Sequence, residues 1–325
     1  MRFLQDRMYS LENVMSKPVL PFLCFLIVAA SAITAQAKDV VVTVKPLHSL
    51  VQGVMGGTAK AQLLVKGAAT PHSFALRPSQ VRLVQNADIL FYIDETFETF
   101  LGNLIASTPS GLTTVSVVEE AQLPLLDLRD GGAWEAEDHD DHKPHAHEGE
   151  HDHQGKNMHV WLDTDNARRI IAAIARKLSA VYPENKEIYD ENARRLISRL
   201  DQLDIEITQK LVPAKDKPFI VLHDAYPYFE EKYDLNNVGS ITLEPGMPAS
   251  MGHLRDIRQK IGDLGAVCIF REPQFNDRLV RTAAEGSIAR TGTLDPLGAG
   301  LQEGPDLYVE LMQNLANDFI QCLVK

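Results

Sequence analysis

Short β-branched runs alternate with amphipathic stretches of helical period along most of this chain, and that alternation constrains the fold more than any other feature. After Asp39 come "VVVTV", a helical stretch ending at Gly56, "QLLVK", a helix after Pro78, "DILFYI", the helical stretch "ETFETFLGNLIAS" and "TVSVV". Past residue 213 the pattern resumes with "FIVLH", "NNVGSIT", a helix around "LRDIRQKIG", "AVCIF", the helix "NDRLVRTAAEG", "ARTGTLD" and the terminal helix "DLYVELMQNLANDFIQCLV". Such βα alternation implies mostly parallel sheets with helices on their faces.

Two segments interrupt the pattern. Residues 184–211 read as one helix of about 40 Å, at ~1.5 Å per residue, with Ile188, Leu196, Leu200, Leu203 and Ile207 on its apolar face. Residues 120–157, with Gly131, Gly132, Pro144 and dense charge, break the pattern and read as a long mobile insertion. With 325 residues to place, the expected fold is α/β in two lobes. The N-terminal lobe spans 38–182 and carries the insertion, a rigid linking helix spans 183–212, and the C-terminal lobe spans 213–325.

The N-terminus reads as a targeting segment. "VLPFLCFLIVAASAI" follows Lys17 and precedes "AQA" at 35–37. It is short of the ~20 residues that span a bilayer, and Ala35 and Ala37 take the −3 and −1 positions of a cleavage site. A signal peptide at 1–37 is predicted, leaving no transmembrane span in the mature chain; Met15, followed by "SK", is an alternative start. Export leaves Cys268 and Cys322 in a compartment where thiols oxidise, so a disulfide is expected, with two buried free thiols as the alternative. A formal charge of −12 argues against nucleic acid as a partner.

The eleven histidines fall into two groups. His139, His142, His145, His147, His151 and His153 alternate with acids and glycine inside the insertion, where no single geometry is enforced. They are expected to bind metal only weakly. His72 lies in a loop between a strand and a helix, His159 just before a helix start at Asp163, and His223 at the carboxyl end of "FIVLH", where open α/β sheets place their ligands. Asp295 in "GTLDPLG" also closes a strand. Each alone reads as a hydrogen-bonded turn residue. Together they predict a transition metal between the lobes, and neutral imidazoles suit Zn2+ in tetrahedral geometry with a carboxylate or water completing the shell. His48 is a minor candidate for that position. Glu272 in "FREPQF" is either a carboxylate that orients an imidazole or an ordinary ion-pair partner, and Trp161, Tyr226, Tyr228 and Phe229 either shield the site or serve as plain core.

The order "PHSFALRPSQ", "NMHVWLD", "FIVLHDAYPYFEEKYDL", "FREPQF" and "GTLDPLG" closely resembles the zinc-binding periplasmic components of high-affinity zinc ABC importers, in the metal-receptor group of solute-binding proteins. The resemblance covers nearly all of the mature chain. It implies two α/β lobes joined by a long helix, a single metal in the interlobe cleft, and a pairing of Cys268 with Cys322. Carried over by motif, His72, His159 and His223 are the metal ligands. Manganese-binding relatives typically hold glutamate at the position of His223, so the imidazole favours zinc. Some zinc members place a glutamate before the first ligand histidine, where this chain has Pro71. The fourth ligand is then Asp295, which matches a coordinating aspartate of several relatives, or water.

The expected function is therefore capture of Zn2+ in the periplasm by a monomer that does no chemistry and delivers the ion to an inner-membrane permease. A zinc hydrolase is the rival class, but no "HExxH" motif is present. A metal-binding surface adhesin with the same fold is a third reading.

Overall fold

The computed structural model of the protein describes residues 39–107, 111–129, 155–242, 251–263 and 265–325. The expected signal segment at 1–37 and the histidines from His139 to His153 lie outside the described residues.

The first half forms a sheet of β1 (Val40–Val42), β2 (Gln62–Leu63), β3 (Ile89–Tyr92) and β4 (Thr113–Ser116), in the order β2-β1-β3-β4 and parallel throughout. The second half repeats this plan with β5 (Phe219–His223), β6 (Asn237–Thr242), β7 (Cys268–Arg271) and β8 (Arg290–Thr293), in the order β6-β5-β7-β8, again all parallel. Helices α1 (Lys45–Met55), α2 (Pro78–Gln85), α3 (Gly102–Ser107), α4 (Val117–Glu120) and α5 (Thr164–Val181) belong to the first half. The second half contributes α7 (Pro227–Tyr233), α8 (Met251–Asp263), α9 (Arg278–Ala284) and α10 (Leu307–Leu323), and α6 (Lys186–Leu211) connects the two.

Successive strand residues point to opposite faces, and here both faces are covered. In β1, Val41 faces an outer core with Leu64, Val84 and Leu90, while Val40 and Val42 face inward. In β5, Ile220 and Leu222 face an outer core with Ile257 and Ile269, while Phe219 and Val221 face inward. The two inward faces meet in one continuous core, filled from α1, α5, α6 and α10 by side chains such as Leu50, Ile170, Leu203 and Phe319. The halves are therefore packed on a shared interior.

Helix α6 has 26 residues, about 39 Å at ~1.5 Å per residue. Its buried stripe runs through Tyr189, Ala193, Leu196, Leu200, Leu203, Ile207 and Leu211. Ile188, expected on that stripe, is 45% exposed, and Tyr189 takes the inward position one residue later. Where α1 meets α6, the chain turns at Gly56 with φ +57°, and a Cβ there would strike the Asn192 side chain, which caps Val54.

Three polar ties reinforce the shared core. Lys45 Nζ at the start of α1 donates to the carbonyls of Gly298 (2.8 Å), Ala299 (3.0 Å) and Leu301 (2.8 Å), beyond β8. Trp161 Nε1 donates to Pro296 O at 2.8 Å, and the Tyr308 hydroxyl of α10 donates to Trp161 O at 2.6 Å. Cys268 of β7 and Cys322 of α10 form a disulfide with a Cα separation of 6.0 Å.

One expected helix is shorter than its pattern. Of "ETFETFLGNLIAS" only Gly102–Ser107 is α-helical. Asp94 Oδ1 accepts from the backbone and hydroxyl of Thr96 (2.9 and 2.6 Å), and Glu98 Oε2 accepts from the backbone N–H of Ile93 (2.7 Å). These bonds fold 94–98 into turns and aim Phe97 at the histidines described below. Among the described residues, no helix is long and apolar enough to cross a membrane.

Candidate metal centre

Each of the three candidate histidines is delivered by a different local device. His72 sits in a single 3-10 turn, Pro71–Ser73, entered through Thr70, whose hydroxyl accepts from His72 N–H at 3.4 Å. His159 immediately precedes a second 3-10 turn, Val160–Leu162, that leads into α5, where the Asp163 carboxylate caps Asp165 N–H at 2.7 Å. His223 is the last residue of β5.

These devices converge. Among the described residues, His72, His159 and His223 form a group whose ligand atoms all lie within 4.8 Å of one another. Their ring centroids are 5.4 Å (His72 to His159), 5.1 Å (His72 to His223) and 4.9 Å (His159 to His223) apart. Phe97 meets the rings of His72 and His159 edge-on at 4.9 and 5.3 Å, and Phe275 stands 6.0 Å from His223. The cavity they line, with Glu272, Gln274 and Leu297, is about 10 Å3, room for one water-sized particle.

The electrostatics follow from that enclosure. Burial, reinforced by His223, pulls His72 down to about 3. Burial, with His223 and His72 adding to it, holds His159 well below the ordinary histidine range. Both imidazoles are therefore neutral at physiological pH, and a neutral imidazole offers a lone pair. The tautomer of His159 is set by Asn157, whose Oδ1 lies 3.0 Å from both His159 N and Nδ1. With Nδ1 donating, Nε2 carries the lone pair. His72 Nε2 is buried with no hydrogen-bond partner. Buried polar atoms are rarely left so, and an orphaned imidazole nitrogen beside two more fits a cation such as Zn2+.

The other candidates take different places. Glu272 is 3% exposed, and its Oε1 lies 3.5 Å from His223 Nδ1. Burial pushes this carboxyl well above the usual range. Asp295 is outside the group of three. Its Oδ1 accepts from Gln274 Nε2 (2.7 Å) and Leu297 N–H (3.1 Å), and its Oδ2 from Ala299 N–H (2.6 Å). His48 is buried on α1 with Nε2 3.1 Å from Ala61 O. Trp161 packs against His159 at 5.3 Å, whereas Phe229 stacks on Phe319 in the core. Phe97, Asn157 and Phe275 complete the surroundings without having stood out in the sequence, because lone aromatics and amides in loops carry no periodic signal.

The family model for the zinc-uptake complex component A, periplasmic (ZnuA), matches residues 40–322 of the chain. The high-affinity zinc uptake system protein ZnuA of Brucella abortus (strain 2308) is 41% identical over 320 residues, covering 91% of this chain and 94% of that protein. The protein of the same description from Yersinia pestis is 31% identical over 299 residues, covering 90% and 94%. A crystal structure of ZnuA superposes with a TM-score of 0.73 at 22% identity, over 88% of this chain and 99% of that one, a likeness of fold.

Proposed function

The chain belongs to the ZnuA family, the periplasmic components of zinc-uptake complexes, and from that membership we propose that it captures one Zn2+ between His72, His159 and His223 and delivers it to the membrane permease of a zinc ABC importer. It is a binding component of such a system and not an enzyme. The observation that carries the assignment of the site is the convergence of three imidazoles from three separate segments on a space for one particle.

A hydrolase needs a general base beside its metal-bound water, and the chain has no "HExxH" motif to supply one. Three imidazole donors discriminate by softness: they suit Zn2+ and disfavour ions that want an all-oxygen shell. Water suits the fourth position in this conformation, since Asp295 stands outside the group of three and turns its oxygens to Gln274, Leu297 and Ala299. Glu272 Oε1, 3.5 Å from His223 Nδ1, would accept from that nitrogen on metal binding and so aim Nε2 at the ion. Export through a signal peptide at 1–37 and action as a monomer belong to the same reading.

Titration of metal-stripped protein by calorimetry tests it. One tight equivalent of Zn2+ is expected, with Mn2+ at equal concentration failing to displace it. Absence of a tight equivalent, or hydrolytic turnover by the zinc-loaded protein, overturns the reading.

A further inference from the structure

Besides the Tyr228 hydroxyl, which donates to Asn157 O at 2.7 Å and accepts from Leu126 N–H at 3.1 Å, two strands of polar contacts tie the segment carrying His159 to the segment carrying His223, and both pass through Asp224. Residues 126–128 and 155–157, the two ends of the insertion, lie antiparallel, with Leu128 N–H donating to Gly155 O (2.8 Å) and Asn157 N–H to Leu126 O (2.9 Å). Just beyond, Arg129 reaches across to the second half of the chain. Its Nε donates to Asp224 Oδ2 at 3.0 Å, its Nη2 pairs with Asp224 Oδ1, and its Nη1 lies 2.8 Å from Glu230 Oε2. Asp224 and Glu230 are only 2% and 5% exposed. The backbone carbonyl of Asp224 in turn accepts from Asn157 Nδ2 at 2.8 Å, and Asn157 is the residue that holds His159 Nδ1. Asp224 directly follows His223.

We infer that Arg129 is a positioning residue for the three-histidine site: by bridging two buried carboxylates it fixes the joint between Asn157 and Asp224 on which the placement of His159 relative to His223 depends. The chemistry requires a guanidinium. Its planar fork can pair one carboxylate through two nitrogens while a third reaches the next, whereas a lysine ammonium is a single point of attachment. Without any cation, two buried carboxylates would face each other and the surrounding turn would have to open. The inference rests on the reading of the three histidines as the zinc site, which the wild-type titration above tests separately. A wild type without tight zinc removes both, whereas failure of the variants below, with the wild type binding, removes only the role of Arg129.

Arg129→Met, Arg129→Lys and Asn157→Ala are to be titrated with Zn2+, each also loaded with Co2+ for its visible d–d absorption, which reports ligand geometry and not global stability. Outer partners of metal-binding histidines typically matter by about 10–100-fold in affinity. Arg129→Met should lose affinity in that range and shift the Co2+ bands, with Arg129→Lys intermediate in both. The combination Arg129→Met with Asn157→Ala should lose clearly less than the product of the two single losses, because both act through one joint. Zinc affinity within two-fold of wild type together with an unchanged Co2+ spectrum in the Arg129 variants overturns the inference, as does a double variant whose loss is fully multiplicative. Should Arg129→Met fail to fold, Arg129→Lys carries the same spectral and affinity test.

Discussion

His223 closes β5 with its ring turned into a space already walled by two other imidazoles, and the burial that makes those rings good ligands also makes them sensitive to acid. Replacing His223 with Ala should abolish tight zinc binding while leaving the far-ultraviolet circular dichroism unchanged, since the strand's inward packing is carried by Phe219 and Val221. Retention of wild-type affinity in that variant, measured by calorimetry, would contradict its role. The pH dependence of the metal-free protein follows from His72. Unfolded, this histidine takes a proton near 6.5; folded, it does so only near 3. Between those values the unfolded chain binds more protons, so folding is disfavoured increasingly as pH falls from about 6.5 towards 3, and the stability present above 6.5 is lost. His159, shifted in the same direction, adds to the trend. Urea midpoints of the stripped protein at pH 7.5 and 5 should therefore differ, with the lower at pH 5. Saturating zinc, which binds the folded state, should raise both.

At the scale of elements, β7 and α10 are held together across the second half by Cys268 and Cys322, 54 residues apart. Closing a loop of that length constrains the unfolded chain by about 4 kcal/mol in the entropic account. The double variant Cys268→Ser, Cys322→Ser should lose stability of that order in chemical denaturation and keep its zinc stoichiometry; an unchanged midpoint would contradict the estimate. Thiol labelling of denatured, unreduced protein should find neither cysteine free. Elements whose signal is periodic were legible in the sequence: the eight strands and the long α6 follow from alternation and from a 3.6-residue stripe. The stripe misplaces only Ile188, because Tyr189 beside it fills the core. The stretch 95–101 was not legible as turns, since its apolar spacing suits a helix and what undoes that helix is a pair of carboxylates, Asp94 and Glu98, bonding locally to the backbone. At the site, the convergence of His72, His159 and His223 was legible from strand ends and loop positions. The commitment of both Asp295 oxygens to Gln274, Leu297 and Ala299 was not, because it depends on how two turns face each other in space.

Over the whole molecule, the insertion and the core make separate predictions. His72, His159 and His223 all lie outside residues 135–153, so deleting that stretch should remove weak additional zinc equivalents and spare the tight one. Loss of the tight equivalent in the deletion, by calorimetry, would show that the insertion contributes ligands. The core is a different matter, because it belongs to both sheets at once. Tyr308 N–H of α10 donates to Ser49 Oγ of α1 at 2.9 Å, and Phe319 of the same helix lies 5.1 Å from both Phe219 and Phe270. Helix α10 thus completes the interior of the first sheet as well as the second, although it follows the last strand of the first sheet by about 190 residues. Without α10 the inner face of the first sheet lacks part of its cover. A fragment ending at residue 305 should accordingly lack the near-ultraviolet circular dichroism of fixed aromatics that the chain to residue 325 shows.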